Sequence, residues 1–259
     1  MASSSTRAVP RAVFFDVGDT LLDTSAMLDS AIFTALVPID PTRTIEDVRA
    51  AVLASGEALP TRQPPFYEAK SNARWWVERY RAVGVALGLE GNALERFLSI
   101  VTEGHFGGDA LHVEPDAPAS LARLEARGVA LGVISNWDDT LDWILERKGL
   151  RRFFREVVVS SAFGRAKPDR AIFAYALEQI GARADEAWHV GDDPEADALG
   201  AARAGLHAML LDPHDLYRSL ETDRIARAPS LTAAVDIILG ESQASAARPA
   251  GPGHRPRSW

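Results

Sequence analysis

The 259-residue sequence contains no cysteine. Disulfides, thiolate metal sites and cysteine nucleophiles are thereby excluded. It also lacks any apolar run long enough to cross a bilayer. Its opening, MASSSTRAVPRAVFF, has no apolar stretch of the kind a secretory leader carries. A cytoplasmic setting without membrane contact is the expectation. Positive charge is short: 28 Lys and Arg stand against 36 Asp and Glu, a formal net charge of −8. A basic face able to release counterions from nucleic acid is therefore not expected. An anionic small molecule can still bind where a local cation or metal offsets the charge. What is present is ordinary for a globular protein, with 47% hydrophobic and 25% charged residues. That composition allows a sizeable core, in one large domain or in a core domain with an insertion.

Five short apolar runs read as buried parallel strands: AVFF (12–15), VALGVIS (129–135), VVVSS (157–161), AWHV (187–190) and AMLL (208–211). Each of the last four follows a helical pattern. Two of those patterns carry proline just inside the start and glycine just past the end, Pro168 with Gly181 and Pro194 with Gly205. Such alternation predicts a doubly wound parallel α/β sheet. One connection breaks the rhythm. From Leu22 to about Asp109 only helical stretches occur, with Thr44 and Asp47 spaced as a capping pair. A crossover of that length predicts a separate helical insertion over the sheet. Residues 1–10 read as a loose arm. The Gly-, Pro-, Ser- and Arg-rich residues 241–259 read as a disordered tail.

Parallel α/β sheets bind ligands beyond the carboxyl ends of their strands. Asp16 closes the first strand, Ser135 and Asn136 the second, and Lys167-Pro168 follows the third. The fourth runs into GDDPEAD, with Asp192, Asp193 and Asp197. A carboxylate, a hydroxyl, an ammonium and an acidic cluster are thus brought to one rim. Singly, each has a plain explanation. Asp193-Pro194 makes a good helix cap, a lone strand-end Asp a turn former, and Trp137 and Trp188 packing. Jointly, they point to chemistry.

The motifs DVGDT, VISN, AKPD and HVGDDPEAD, in that order, resemble those of the haloacid dehalogenase (HAD) superfamily, in particular members with a helical cap after the first strand. The resemblance covers about Arg11 to Gly240. It implies a Rossmann-like sheet of five or more strands built from residues 11–21 and 110–240, with an all-helical cap over 22–109. It also implies an aspartyl-enzyme mechanism. Asp16 would be the nucleophile, Ser135, Asn136 and Lys167 would contact substrate, and Lys167 would neutralise charge. Mg²⁺ would be held by Asp16, Asp192 and the carbonyl of Gly18, with Asp193 and Asp197 supporting it from behind. The partner would be a small molecule. Of the cap residues, Arg74, Trp75, Trp76, Phe66, Tyr67 and Lys70 are candidates to face it, although aromatics at helical spacing more often form core.

One position departs from the pattern. HAD phosphatases carry a second Asp two residues after the nucleophile, which protonates the leaving oxygen; here Gly18 stands there, followed by Asp19. Such acid–base help typically contributes about 10²–10⁴ in rate. Three readings remain open: a Mg²⁺-dependent phosphatase on a small phosphorylated metabolite, a 2-haloacid dehalogenase, or a non-catalytic HAD-fold binding protein. Dehalogenases also lack the second Asp and need no acid to expel halide. Their fourth motif resembles SSN-x-WD, however, and binds no metal. The carboxylates of GDDPEAD would repel an anionic substrate unless a cation joined them.

Overall fold

The computed structural model describes residues 9–24, 27–56 and 69–241. The arm and the tail read from the sequence lie almost wholly outside them. Eight strands occur among the described residues: β1 (Ala12–Phe15), β2 (Leu22–Asp23), β3 (His112–Val113), β4 (Ala130–Ser135), β5 (Glu156–Val159), β6 (Ala187–Gly191), β7 (His207–Leu211) and β8 (Ile225–Ala228). Six of them form one sheet in the order β5-β4-β1-β6-β7-β8, with every pairing parallel. The strand order reverses at β1, which lies between β4 and β6. That reversal opens a crevice at the carboxyl ends of β1, β4 and β6.

Alternation along the strands builds a core on each face. Val13 and Phe15 of β1 enter one cluster with Leu131, Val133, Trp188 and Val190. It is covered by α5 (Ala117–Ala126), α6 (Leu141–Arg147) and α10 (Leu231–Leu239), through residues such as Leu121, Leu145 and Ile238. Ala12 and Phe14 enter the other, against Ile172, Phe173 and Ala176 of α8 (Arg170–Ile180). A fully buried Phe or Leu contributes roughly 1.5–3 kcal/mol, so both faces of β1 hold its end rigidly. Asp16 follows directly.

The five expected strands are present, with two differences. VVVSS stops pairing at Val159, because Ser160 begins the short helix α7 (Ser160–Phe163) and turns its hydroxyl onto the Trp137 carbonyl, 3.1 Å away. A sixth strand, β8, carries no apolar run, since IARA is an edge strand whose Arg227 pairs with Asp212 and Asp215.

The residues between β2 and β3 fold as helices α1 (Met27–Leu36), α2 (Ile45–Ser55), α3 (Ala69–Ala86) and α4 (Gly91–Phe106). The spacing at Thr44 is a reciprocal capping box: the Asp47 amide donates to the Thr44 hydroxyl at 3.2 Å, and the Thr44 amide to the Asp47 carboxylate at 2.8 Å. Ile32, Val48, Tyr80, Val83 and Phe97 form a third core cluster belonging to these helices. Where the chain leaves and rejoins the six-stranded sheet, Leu22 and Asp23 pair antiparallel with Val113 and His112. This two-stranded tie is too short to show in the pattern.

Within the helical cluster, the Tyr80 hydroxyl and His105 Nδ1 share a hydrogen bond at 2.7 Å, and Trp76 stacks on Tyr80. Burial pushes the His105 pKa down to about 4, so the folded state holds this imidazole neutral. Its contribution to stability is whole above about pH 6.5, the ordinary His value, and is lost as pH falls from there toward 4. The slope it adds is at most about 1.4 kcal/mol per pH unit. His105→Gln keeps a hydrogen-bonding partner for Tyr80 but cannot titrate. Thermal melts from pH 7 to 4 should therefore flatten in this variant; an unchanged slope would assign the acid sensitivity to another group.

Candidate active site

The end of β1 leaves the sheet through a tight turn. The Asp16 amide still donates to the Val190 carbonyl at 2.8 Å, and the amides of Leu21 and Leu22 close back on the Val17 carbonyl at 2.9 Å. Asp19 sits at the crest with φ +50°. Asp tolerates this left-handed conformation better than most residues. Its carboxylate turns to Thr24, accepting from the amide at 2.9 Å and the hydroxyl at 2.6 Å. Gly18 has no positive φ, and a Cβ built there would make ordinary contact at 3.5 Å with the Thr24 methyl and the Trp137 ring.

β6 passes into a wide π-type turn, Pro194–Leu199, capped by Asp193, which accepts from the Glu195 and Ala196 amides at 2.8 and 2.7 Å. The turn brings Asp197 back over Gly191. A Cβ on Gly191 would lie 2.2 Å from the Asp197 carboxylate, so only glycine fits. Asp197 Oδ1 accepts from Lys167 Nζ at 2.6 Å and from His189 Nε2 at 2.8 Å, while Oδ2 accepts from the Asp193 amide at 3.0 Å. The same ammonium reaches Asp16 Oδ1 at 2.8 Å. Lys167 is itself held along its backbone. Asn136 accepts from the Lys167 amide at 2.8 Å and donates to its carbonyl at 3.0 Å. Ser135 ends β4 beside Asp16, fully buried.

The electrostatics follow from one cation among several carboxylates. Burial raises the Asp16 pKa, with Lys167 opposing and Asp197 adding to the rise. Burial also works against a charged Asp197, but Lys167 and His189 outweigh it and hold that carboxyl well below the usual range. Lys167 is raised; burial opposes its charge, and Asp16 and Asp197 more than restore it. Asp192 is pushed up to about 8 by burial and by the charges of Asp16, Asp197 and Asp19. Carboxylate oxygens of Asp16, Asp192 and Asp197 lie within 4.8 Å of one another. With Asp197 spent on Lys167 and His189, Asp16 and Asp192 are left as hard oxygen donors short of positive charge, a donor set that fits a cation such as Mg²⁺.

The structure thus brings together Asp16, Ser135, Lys167, Asp192 and Asp197. Asn136 and Asp193 are adjacent but committed, Asn136 to the Lys167 backbone and Asp193 to its cap. Trp188 packs in the core against His207. Trp137 is different, because its ring lies beside Gly18, 3.5 Å from where a Cβ there would sit. Phe66, Tyr67 and the side chain of Lys70 lie outside the described residues, and Arg74 is exposed in an ion pair with Glu78. A cavity of about 600 Å³ opens beside Asp192, lined also by Asp19, Thr20, Glu114, Asp212 and Tyr217. His189 carried no sequence assignment, although it stands inside the fourth motif.

The family model for haloacid dehalogenase-like hydrolases matches residues 10–205. The chain belongs to this family. The hydrolase is 32% identical over 204 residues to a glyceraldehyde 3-phosphate phosphatase from Methanothermobacter thermautotrophicus, covering 78% of this chain and 85% of that protein. It is 35% identical over 135 residues to a ribulose-1,5-bisphosphate 5-phosphatase from Halopiger xanaduensis, covering 51% of this chain and 56% of the relative. Among solved structures, the 2-haloacid dehalogenase of Pseudomonas syringae pv. Tomato superposes on this hydrolase with a TM-score of 0.60. The identity is 25%, over 90% of this chain and 99% of that one.

Proposed function

We propose that this hydrolase is a Mg²⁺-dependent phosphatase that cleaves small phosphorylated metabolites through an aspartyl intermediate on Asp16. The observation that carries the reading is the unbalanced charge at the rim, where one ammonium is shared by Asp16 and Asp197 and the half-buried Asp192 has no cation of its own among the described residues. A dehalogenase has no use for that surplus. Asp16 attacks phosphorus in line and the ester oxygen leaves; water then cleaves the acyl phosphate, releasing inorganic phosphate and restoring Asp16. Ser135 donates to a phosphoryl oxygen, and Lys167 keeps Asp16 anionic and offsets charge on the transferring group. Mg²⁺, held by Asp16, Asp192 and the Gly18 carbonyl, would add positive charge at the same oxygens. Asn136 acts through the Lys167 backbone. Residues 22–109 serve as a cap on the core of 11–21 and 110–240, closing over substrate and excluding water. The separate cluster of the helices and the strand tie at Leu22–Asp23 support that division. The names of the two phosphatase relatives support a small sugar phosphate as the substrate class.

A second reading, 2-haloacid dehalogenase, is favoured by Gly18, since halide needs no proton to leave. One screen separates the two: phosphorylated metabolites with and without Mg²⁺, beside a halide-release assay. Mg²⁺-dependent phosphate release is expected. Calorimetry should show Mg²⁺ binding that Asp192→Asn weakens by at least about tenfold. Halide release without ester cleavage, or equal Mg²⁺ binding by both proteins, would overturn the reading.

A further inference from the structure

We propose that His189 is a positioning residue, whose Nε2–H pins Asp197 from beneath the site so that the Lys167 ammonium stays shared with Asp16. The inference rests on the reading of Asp16 as nucleophile. Four groups form one chain: His189 Nε2 to Asp197 Oδ1 at 2.8 Å, Asp197 Oδ1 to Lys167 Nζ at 2.6 Å, and Lys167 Nζ to Asp16 Oδ1 at 2.8 Å. The side chains of His189, Asp197 and Lys167 are 0%, 1% and 1% exposed, against 15% for Asp16. Asp16 alone of the four is partly exposed, and His189 and Asp197 lie wholly behind it.

A carboxylate accepts and cannot donate, so the proton of the contact lies on Nε2. His189 Nδ1 is buried and without a partner among the described residues. A second proton there would leave a buried N–H unsatisfied, a substantial cost. The imidazole is therefore a neutral, one-way donor, and Phe173 set edge-on against it at 5.3 Å holds its plane.

Asp197 Oδ1 takes two donors, one from Lys167 and one from His189. Without the second, a buried lone pair stands empty beside an ammonium that has protons to spare. The ammonium is then drawn toward it, which lengthens its contact with Asp16. His189 removes that competition. The backbone makes the arrangement possible: His189 and Gly191 share one face of β6, so the strand supplies both the donor and the bare floor on which Asp197 lies.

The test compares His189→Leu, which fills the space without a donor, with His189→Gln, which restores one near Nε2. With nitrophenyl phosphate and Mg²⁺, His189→Leu should lose about 10- to 100-fold in kcat with KM little changed. His189→Gln should recover most of that loss. Nitrogen-15 NMR supplies a readout that does not need turnover. The Lys167 ammonium protons should exchange with solvent at least about tenfold faster in His189→Leu than in wild type, and close to the wild-type rate in His189→Gln. An unmoved ammonium signal in His189→Leu, or equal damage by both substitutions, would overturn the proposal. If His189→Leu does not fold, wild type alone decides, since a proton found on Nδ1 with Nε2 bare contradicts it. Wild type that cleaves no phosphate ester sinks the phosphatase reading, while the ammonium measurement still tests the positioning.

Discussion

Asp16→Asn is expected to lower turnover of every phosphate ester by at least about 10⁴-fold, the scale on which loss of a covalent nucleophile is felt. The amide keeps the shape of the carboxylate and an oxygen for Lys167, so orientation survives while the nucleophile and the negative charge that would help hold Mg²⁺ are lost. Stability should move little, and upward if at all. Burial raises the Asp16 pKa in the folded protein. A carboxylate whose folded pKa lies above its unfolded value destabilises the fold once pH exceeds the unfolded value. Replacing it by a neutral group removes that cost, and Lys167 still has Asp197 at 2.6 Å. Steady-state rates and a thermal melt check both halves. Mass spectrometry of acid-quenched wild type should find the added phosphoryl group on Asp16 and none in the variant. Retained turnover in Asp16→Asn would mean that water attacks phosphorus directly.

How far the sequence discloses this site depends on whether a residue's role is local. Asp16, Ser135 and Asp192 are legible because each ends a strand whose apolar run is plain, and strand ends share a rim. The Asp193 cap is legible because its partners lie two and three residues on. β8 is hidden because an edge strand needs no apolar run. The role of Asn136 is hidden for another reason. The resemblance implies substrate contact for Ser-Asn, and what it does not disclose is that both Asn136 amide atoms grip a backbone 31 residues away. His189 reads as one more member of a β-strand until the π-type turn folds Asp197 onto it. For Asn136 and His189 the meaning lies in a side-chain contact made only after the sheet is assembled.

That distinction bears on Gly18, where sequence and geometry meet. Gly18→Asp should raise turnover of alkyl phosphates by up to about 10²-fold, the low end for general acid catalysis, with little gain on nitrophenyl phosphate. An alkyl oxygen needs a proton as its bond to phosphorus breaks; a nitrophenolate does not. The backbone at 18 accepts a side chain, since no positive φ is required and a Cβ would sit 3.5 Å from its nearest neighbours. Those neighbours set the size of the gain. The Trp137 ring and the Thr24 methyl flank the new carboxylate and were not shaped to aim it, so Gly18→Asp with Trp137→Ala should exceed the single change if the ring misdirects the acid. Exchanging both letters, Gly18→Asp with Asp19→Gly, also puts glycine at the φ +50° crest. It loses the two Asp19 bonds that hold Thr24, which makes the single substitution the cleaner probe. Rates must be taken in single-turnover and steady-state modes, because a new carboxylate can also speed water's attack on the acyl phosphate. If Asp19→Ala alone destroys turnover, the neighbouring carboxylate already supplies the proton and position 18 lacks nothing. If Gly18→Asp abolishes halide release while no phosphate ester is ever cleaved, the bare glycine belongs to a dehalogenase, whose leaving group never needed an acid.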